Sequence, residues 1–153
     1  ALKNFEYILH NTSFEQGINS ALTVTAVPGM PAMVKYINEC NKIKPIYWSM
    51  MKANQHEIGP REYMYPGIFG NKINSWGLRE AVESFDTTSH GNPDSVKETY
   101  KTYMQGIMTE FDKREPSLLR QKQFKIYLNE LDRRRATDWK SVYPQIWEEV
   151  KNL

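Results

Sequence analysis

The segment ALTVTAV at residues 21–27 decides the expected fold, because it is rich in β-branched residues and contains no charged residue. This composition favours a strand that is buried on both faces, as strands in a parallel sheet are. Pro28-Gly29 follows directly and marks the end of the strand. The segment therefore predicts a buried parallel sheet.

The residues that follow predict a strand, a helix and a second strand. Pro31 suits the first turn of a helix, where the missing amide hydrogen costs nothing. Apolar side chains then repeat on one helical face over residues 31–43, and they make Cys40 a core residue: Met33, Val34, Ile37 and Cys40. Ile46–Met51 reads as a short buried strand after Pro45. A crossover of this kind normally makes the two strands parallel.

Helical patterns dominate the rest of the chain. A short helix is expected at the N-terminus, and further helices over residues 73–85, from Asp94 or Ser95 to Phe111, from Pro116 to Arg135, and after Pro144. The expected buried face of the helix after Pro116 carries Leu119, Phe124, Tyr127, Leu128 and Leu131. Arg133–Arg135 would complement the negative end of the helix dipole, with phosphate contact as the alternative.

Composition limits the classes of partner. The 153 residues contain 20 Lys and Arg against 18 Asp and Glu, so the net charge of +2 supplies no strong field for nucleic acid or an anionic membrane. No segment approaches the ~18 consecutive apolar residues of a membrane-spanning helix, and the N-terminus lacks the apolar region of a signal peptide. We therefore expect a cytoplasmic protein that binds neither membranes nor nucleic acid. The chain starts with Ala1, so either the initiator methionine is removed or the chain is a piece of a longer protein.

Residues 52–70 predict a long loop after the second strand, since Gly59-Pro60, Pro66-Gly67 and Gly70 interrupt any regular element. Its first half concentrates side chains that could bind a polar substrate: Lys52, Asn54, Gln55, His56, Glu57, Arg61 and Glu62. A solvated loop would look similar. The histidines His10, His56 and His90 show no metal-ligand spacing.

Several strings resemble the C-terminal half of radical S-adenosylmethionine proteins of the twitch-domain type found in phages and bacteria. They are TVTA at residues 23–26, MP at 30–31, KPIYWS at 44–49 and YLNELDRRRATDW at 127–139, followed by Tyr143-Pro144. The resemblance covers nearly the whole chain. It implies an α/β, mainly helical fold: part of a (β/α) barrel with two or more parallel strands over residues 1–90, and a helical C-terminal extension over residues 91–153, packed as a single unit.

The chain departs from the family in its cysteines. The family's Cys-x3-Cys-x2-Cys loop, which holds a four-iron cluster, is absent, and Cys40 is the single cysteine. The resemblance therefore implies that S-adenosylmethionine and the cluster come through a missing N-terminal region or a separate polypeptide, and that this chain binds neither alone. The implied function is the substrate-side portion of such an enzyme, inactive by itself.

The resemblance also implies site residues, since ligands in such barrels lie at the carboxyl ends of the strands. Thr23, Thr25 and Val27 would face the cofactor. Substrate contacts would come from the second strand and the loop after it: Ser49, Met50, Asn54, His56 and Glu57. The alternative is a helical protein-protein interaction module without catalytic activity, which would use Tyr63, Tyr65 and Trp76 as an aromatic surface.

Overall fold

The computed structural model describes residues 2–14, 16–52, 63–86 and 94–153. These residues are mostly helical. The helices are α1 (Leu2–Asn11), α2 (Met30–Ile43), α3 (Arg79–Ser84), α4 (Asp94–Lys113), α5 (Leu118–Arg135), α6 (Trp139–Val142) and α7 (Pro144–Val150). The strands are β1 (Gly17–Leu22) and β2 (Tyr47–Lys52), and short 3-10 turns lie at Val27–Gly29 and Pro66–Phe69.

The predicted fold class, a partial (β/α) barrel, is wrong. Within the described residues the only regular pairing of strands is a parallel ribbon of β1 and β2, with Gly17 opposite Tyr47 and Leu22 opposite Lys52. No further strand extends this ribbon in the described part of the chain, so it has no barrel curvature. Helix packing, rather than a sheet, builds most of the core.

The first strand also lies earlier than predicted. β1 ends at Leu22. A turn follows, and the 3-10 segment Val27–Gly29 then leads into α2. Val24 and Val27 are fully buried even though they lie outside the strand. A short apolar run indicates burial but does not distinguish a strand from a buried turn, which is why the prediction placed these residues in the sheet.

Helix α2 begins and ends where the sequence indicates. Pro31 occupies its first turn, and Lys44 adopts an extended backbone because the next residue is Pro45. Cys40 is buried, as predicted. The buried Asn41 accepts a hydrogen bond from the backbone amide of Ile46 through Oδ1 at 2.9 Å, which fastens the start of the β2 segment to the helix.

The second half of the predicted loop belongs to the core. Residues 65–70 are buried, and the carbonyl oxygen of Ile68 accepts hydrogen bonds from Ser117 N at 2.9 Å and Gln121 Nε2 at 2.8 Å. Because these bonds satisfy a buried carbonyl, irregular backbone is tolerated inside the protein. Residues 53–62, the first half of the loop, lie outside the described residues.

Of the three residues expected to form an aromatic interaction surface, Tyr65 is buried, and Tyr63 and Trp76 are half-buried. Tyr65 is 4% exposed and packs edge-on against Phe111. Tyr63 packs on Tyr127 with ring centroids 4.9 Å apart, and Trp76 packs on Phe69 at the same centroid distance. Tyr63 and Tyr65 thereby connect the segment before α3 to α5 and α4, whereas Trp76 packs on the 3-10 turn at residues 66–69.

Helix α5 differs from its expected packing at one end. Phe124 and Leu128 are buried, and Phe124 packs edge-on against Phe69 and Trp139. Leu119, which was predicted on the same face, is 64% exposed.

Among the described residues, no helix has the length and apolar composition needed to cross a membrane.

Candidate functional site

A cavity of about 270 Å³ opens at the carboxyl end of β1. The end of β1, the turn after it, the first turns of α2 and the junction of α6 with α7 all contribute. The lining residues are Ser20, Ala21, Leu22, Thr25, Ala26, Gly29, Met30, Met33 and Tyr143. Ligands of α/β proteins commonly bind at the carboxyl ends of parallel strands, so this position is a natural place for a site.

A hydrogen-bonded chain orders one wall of the cavity. Trp48 Nε1 donates to Ser20 Oγ at 3.0 Å, and Ser20 Oγ lies 3.2 Å from Met33 Sδ, to which it donates. Trp48 is 2% exposed, so this series of hydrogen bonds starts in the core and ends at the cavity. The hydrogen bond from Ser20 in β1, which Trp48 in β2 orients, therefore positions the Met33 thioether.

The lining is mainly apolar, and three of its residues carry a hydroxyl group. Thr25 contributes one hydroxyl, and its Oγ1 lies 3.4 Å from Thr23 Oγ1. Ser20 and Tyr143 contribute the others. Among the described residues that line the cavity, no side chain carries a carboxylate, ammonium or guanidinium group, so these residues offer no ionic partner to a charged ligand.

The predicted cofactor-facing residues lie in different surroundings. Thr25 lines the cavity, and Thr23 is half-buried beside it. The side chain of Val27 is fully buried in the core. The structure therefore brings Thr25 and its neighbour Thr23 to the site, and uses Val27 for packing.

The predicted substrate contacts are described only in part. Ser49 and Met50 lie in β2, with their backbones opposite Asn19 and Ser20. Asn54, His56 and Glu57 lie outside the described residues.

Thr25 is the one lining residue that the sequence analysis proposed for the site, and three of the residues that it missed show why. Met33 was assigned to the core face of α2, and nothing in its spacing separates a cavity wall from a core position. Ser20 precedes the predicted strand. Tyr143 lies more than a hundred residues further along the chain, and no local pattern relates it to β1.

Other polar groups with altered pKa values serve packing. Burial, followed by the hydrogen bond to the Glu110 carboxylate, raises the pKa of Tyr65, and the Arg114 guanidinium lies 4.7 Å from the centre of its ring. Burial also raises the pKa of the Cys40 thiol, which keeps it protonated and unreactive. Burial is the main reason that the pKa of Tyr36 rises to about 12. None of these side chains lines the cavity.

A second, more open groove of about 480 Å³ lies between α2 and α3. It mixes cations with anions, among them Lys35, Lys42, Glu39 and Glu80. Lys42 Nζ is 2.8 Å from Glu39 Oε1. The Asn38 side chain connects α2 to α3 by donating a hydrogen bond to the carbonyl of Ser84 at 2.8 Å. The groove is a polar helix-helix junction.

The residues present do not fit an iron-sulfur cluster. Such a cluster needs several thiolates, whereas Cys40 is the single cysteine of the chain and is buried. In the part of the chain that the structure describes, no group of three His, Cys, Asp or Glu side chains is arranged to hold a metal ion.

Comparisons with protein-family models, with curated proteins and with solved structures find no match to this chain.

Proposed function

We propose that the chain is the substrate-side, C-terminal portion of a cytoplasmic radical S-adenosylmethionine enzyme whose four-iron cluster is held by another region or a separate polypeptide. The observation that supports this proposal best is the cavity at the carboxyl end of β1, since Thr25 from the TVTA string forms part of its wall. The proposal does not require barrel geometry, because the cavity is built from one strand, one turn and two helical regions.

In this proposal the cavity receives the uncharged part of the cofactor. S-adenosylmethionine supplies one-electron chemistry when it is bound to a reduced cluster. Thr25 and Tyr143 offer hydroxyl groups to heteroatoms, while Leu22, Met30 and Met33 exclude water from the bound ligand. The charged parts of the cofactor find no partner in this lining and would lie towards the cluster-bearing part.

Substrate contacts remain with the residues that the resemblance implies. Ser49 and Met50 belong to β2, which ends beside β1, and Asn54, His56 and Glu57 follow in the chain. The backbones of β1 and β2 are parallel and in register, so the two strands end side by side at Leu22 and Lys52.

The proposal is tested by combining the chain with its cluster-bearing part and measuring reductive cleavage of S-adenosylmethionine with and without substrate. Thr25→Val should weaken cofactor binding. His56→Ala and Glu57→Ala should reduce substrate-coupled turnover and spare the uncoupled reaction. Thr109→Val is the matched control, because Thr109 is exposed on α4 and its hydroxyl bonds only locally to Gln105 O at 3.0 Å. Unchanged behaviour of all three site variants would refute the proposal.

A second candidate function is that of a protein-protein interaction module without catalytic activity, and the outer face of α5 favours it. Leu118, Leu119 and Ile126 are 62%, 64% and 68% exposed. The interaction candidate predicts that Leu119→Glu abolishes association with a purified partner while Thr25→Val has no effect. The opposite pattern favours the enzyme portion.

A further inference from the structure

We infer that the cavity at the carboxyl end of β1 binds a neutral, planar aromatic ring system of one or two rings. The inference deepens the proposed function, on whose site it rests, by naming the class of group that this chain itself recognises. Four properties of the cavity carry it: its volume, the absence of lining charge, the ordered thioether of Met33 and the hydroxyl groups in its wall.

The volume limits the ligand to a small group. At about 270 Å³ the cavity is slightly smaller than the ~300–1,000 Å³ typical of sites for drug-sized ligands. A single or fused ring fits this space, whereas a complete nucleotide or peptide does not. A larger molecule would therefore place only one ring-sized portion here.

The lining excludes charge from that portion. A buried ion without a partner is strongly unfavourable, and none of the lining side chains in the described part of the chain carries a carboxylate, ammonium or guanidinium group. Leu22 and Met30 are 1% and 2% exposed, so the part of the cavity wall that they form is apolar. Contact with this surface lowers the binding free energy of a neutral group, whereas an ionised group loses its hydration without forming a compensating interaction.

The ordered thioether favours a flat ring over an aliphatic one. Sulfur is polarisable and makes favourable contacts with aromatic rings. A methionine is normally flexible, but Met33 Sδ accepts the Ser20 hydroxyl hydrogen because Trp48 Nε1 already donates to Ser20 Oγ. The sulfur is thus positioned before a ligand arrives, which lowers the entropic cost of binding.

The hydroxyl groups of Thr25 and Tyr143 add a preference for heteroatoms. Each hydroxyl can donate one hydrogen bond and accept others, so it serves ring nitrogens, exocyclic amines and carbonyl groups alike. Both residues are half-buried, so they can serve a ligand at the mouth of the cavity. Either the purine end of a cofactor or an aromatic substrate has this chemistry.

The test measures binding to the purified 153-residue chain, without any cluster, by ligand-observed NMR and calorimetry. Benzamide should bind saturably. Benzoate, its charged counterpart, and cyclohexanecarboxamide, its aliphatic counterpart, should bind at least about fivefold more weakly. Adenosine and indole are then compared: tighter adenosine binding assigns the ring to a cofactor, and tighter indole binding assigns it to an aromatic substrate. Equal binding of benzamide, benzoate and cyclohexanecarboxamide overturns the inference.

Variants locate the binding in the cavity. Met33→Leu keeps the side-chain volume but removes the sulfur, so benzamide affinity should fall about two- to tenfold. Gly29→Leu should abolish binding, since Gly29 borders the cavity with φ −88° and a Cβ there meets no atom within 4 Å, so the new side chain enters open space without backbone strain. Gly106→Ala, at a helix position with open space, is the control and should bind as the parent does.

Thermal melting verifies that each variant is folded. Unchanged affinity in the folded Gly29→Leu variant, or no saturable binding of benzamide, adenosine or indole to the parent chain, overturns the inference. Ring binding together with failure of the cleavage experiment would refute the proposed enzyme function alone. Loss of cofactor cleavage in Thr25→Val without any ring binding would refute this inference alone.

Discussion

Gly77 shows how a single residue can be constrained by packing that the local sequence does not reveal. The sequence analysis placed it inside a helix over residues 73–85, where glycine slightly weakens the element. In the structure, Asn74–Leu78 forms a π-helical segment in which Gly77 has φ 140°, a conformation that side chains with a Cβ rarely adopt. A Cβ at this position would lie 2.8 Å from the carbonyl oxygen of Val27 and 3.1 Å from Cδ of Pro31.

Gly77→Ala should therefore lower the free energy of unfolding by about 1–3 kcal/mol, because the new Cβ adds both backbone strain and a close contact with backbone. Urea denaturation measures the change. Gly106→Ala in α4 is the control, and it should raise the free energy of unfolding by about 0.4–1 kcal/mol, since alanine narrows the unfolded ensemble and its Cβ meets open space. Equal stability of Gly77→Ala and the parent would contradict the close approach of the π-helical segment at residues 74–78 to Val27 and Pro31.

At the scale of a helix, the end of α5 is consistent with the electrostatic role expected for its arginines. Arg133 and Arg134 bind the Glu130 carboxylate at 2.7 Å and 2.6 Å, and all three arginines lie in the last turn. Ala136 then adopts the left-handed conformation that ends the helix. The Asp132 carboxylate accepts the Thr137 hydroxyl at 2.8 Å and the Trp139 amide at 2.9 Å, which directs the chain into α6.

Arg134→Ala should lower the melting temperature slightly at neutral pH and low salt. Hydrogen bonds from Arg133 and Arg134 lower the pKa of Glu130 to about 2, so the stabilisation is present above the ordinary pKa of glutamate and is lost as the pH falls towards 2. The difference between variant and parent should accordingly shrink on acidification, and added salt should reduce it as well.

Arg135→Ala is the matched control, since Arg135 lies in the same turn and the Glu130 pairing does not involve it. Its effect on melting should show no comparable change between pH 7 and pH 2. A loss of nucleic-acid affinity in Arg134→Ala, with a steep salt dependence in the parent, would instead assign the arginines to phosphate binding.

The outer side of α5 illustrates what helical periodicity cannot decide. Apolar residues occur around the whole helix, so Leu119 and Phe124 are both plausible core positions by sequence. Phe124 is buried because it meets Phe69 and Trp139, which come from distant segments. Leu119 is exposed with respect to the described residues. Periodicity identifies the helix correctly, and tertiary contacts select which of its apolar residues are covered.

At the scale of the whole molecule, the core joins segments that are far apart in the chain. It combines residues from α1 to α7, among them Leu9, Val34, Phe69, Phe111 and Val150. Gln121 Nε2 and the backbone amide of Ser117 both donate to Ile68 O, so α5 is fastened directly to the 3-10 turn at residues 66–69. The helices after residue 93 therefore pack on the same core as the β1–α2–β2 segment.

The purified chain should form no stoichiometric iron-sulfur cluster when it is reconstituted anaerobically with iron and sulfide. One cysteine cannot replace the several thiolates that a cluster requires, and the Cys40 thiol is buried with a raised pKa. Absorption spectra and iron analysis measure the outcome. Cys40→Ala is the control: a cluster that appears in the parent, vanishes in this variant and accompanies an oligomer would show bridging between chains, contrary to the expectation.

The amino-acid sequence by itself determined the start and end of α2, the burial of Cys40 and the lack of enough cysteines for a thiolate cluster site. These properties depend on prolines, helical periodicity and composition, which act locally or on the chain as a whole. Only the tertiary structure decided that Thr23–Val27 lies outside β1, that Tyr65 is buried and that Tyr143 and Met33 line the same cavity. Each of these depends on contacts between distant segments, and burial alone does not specify which neighbours provide it.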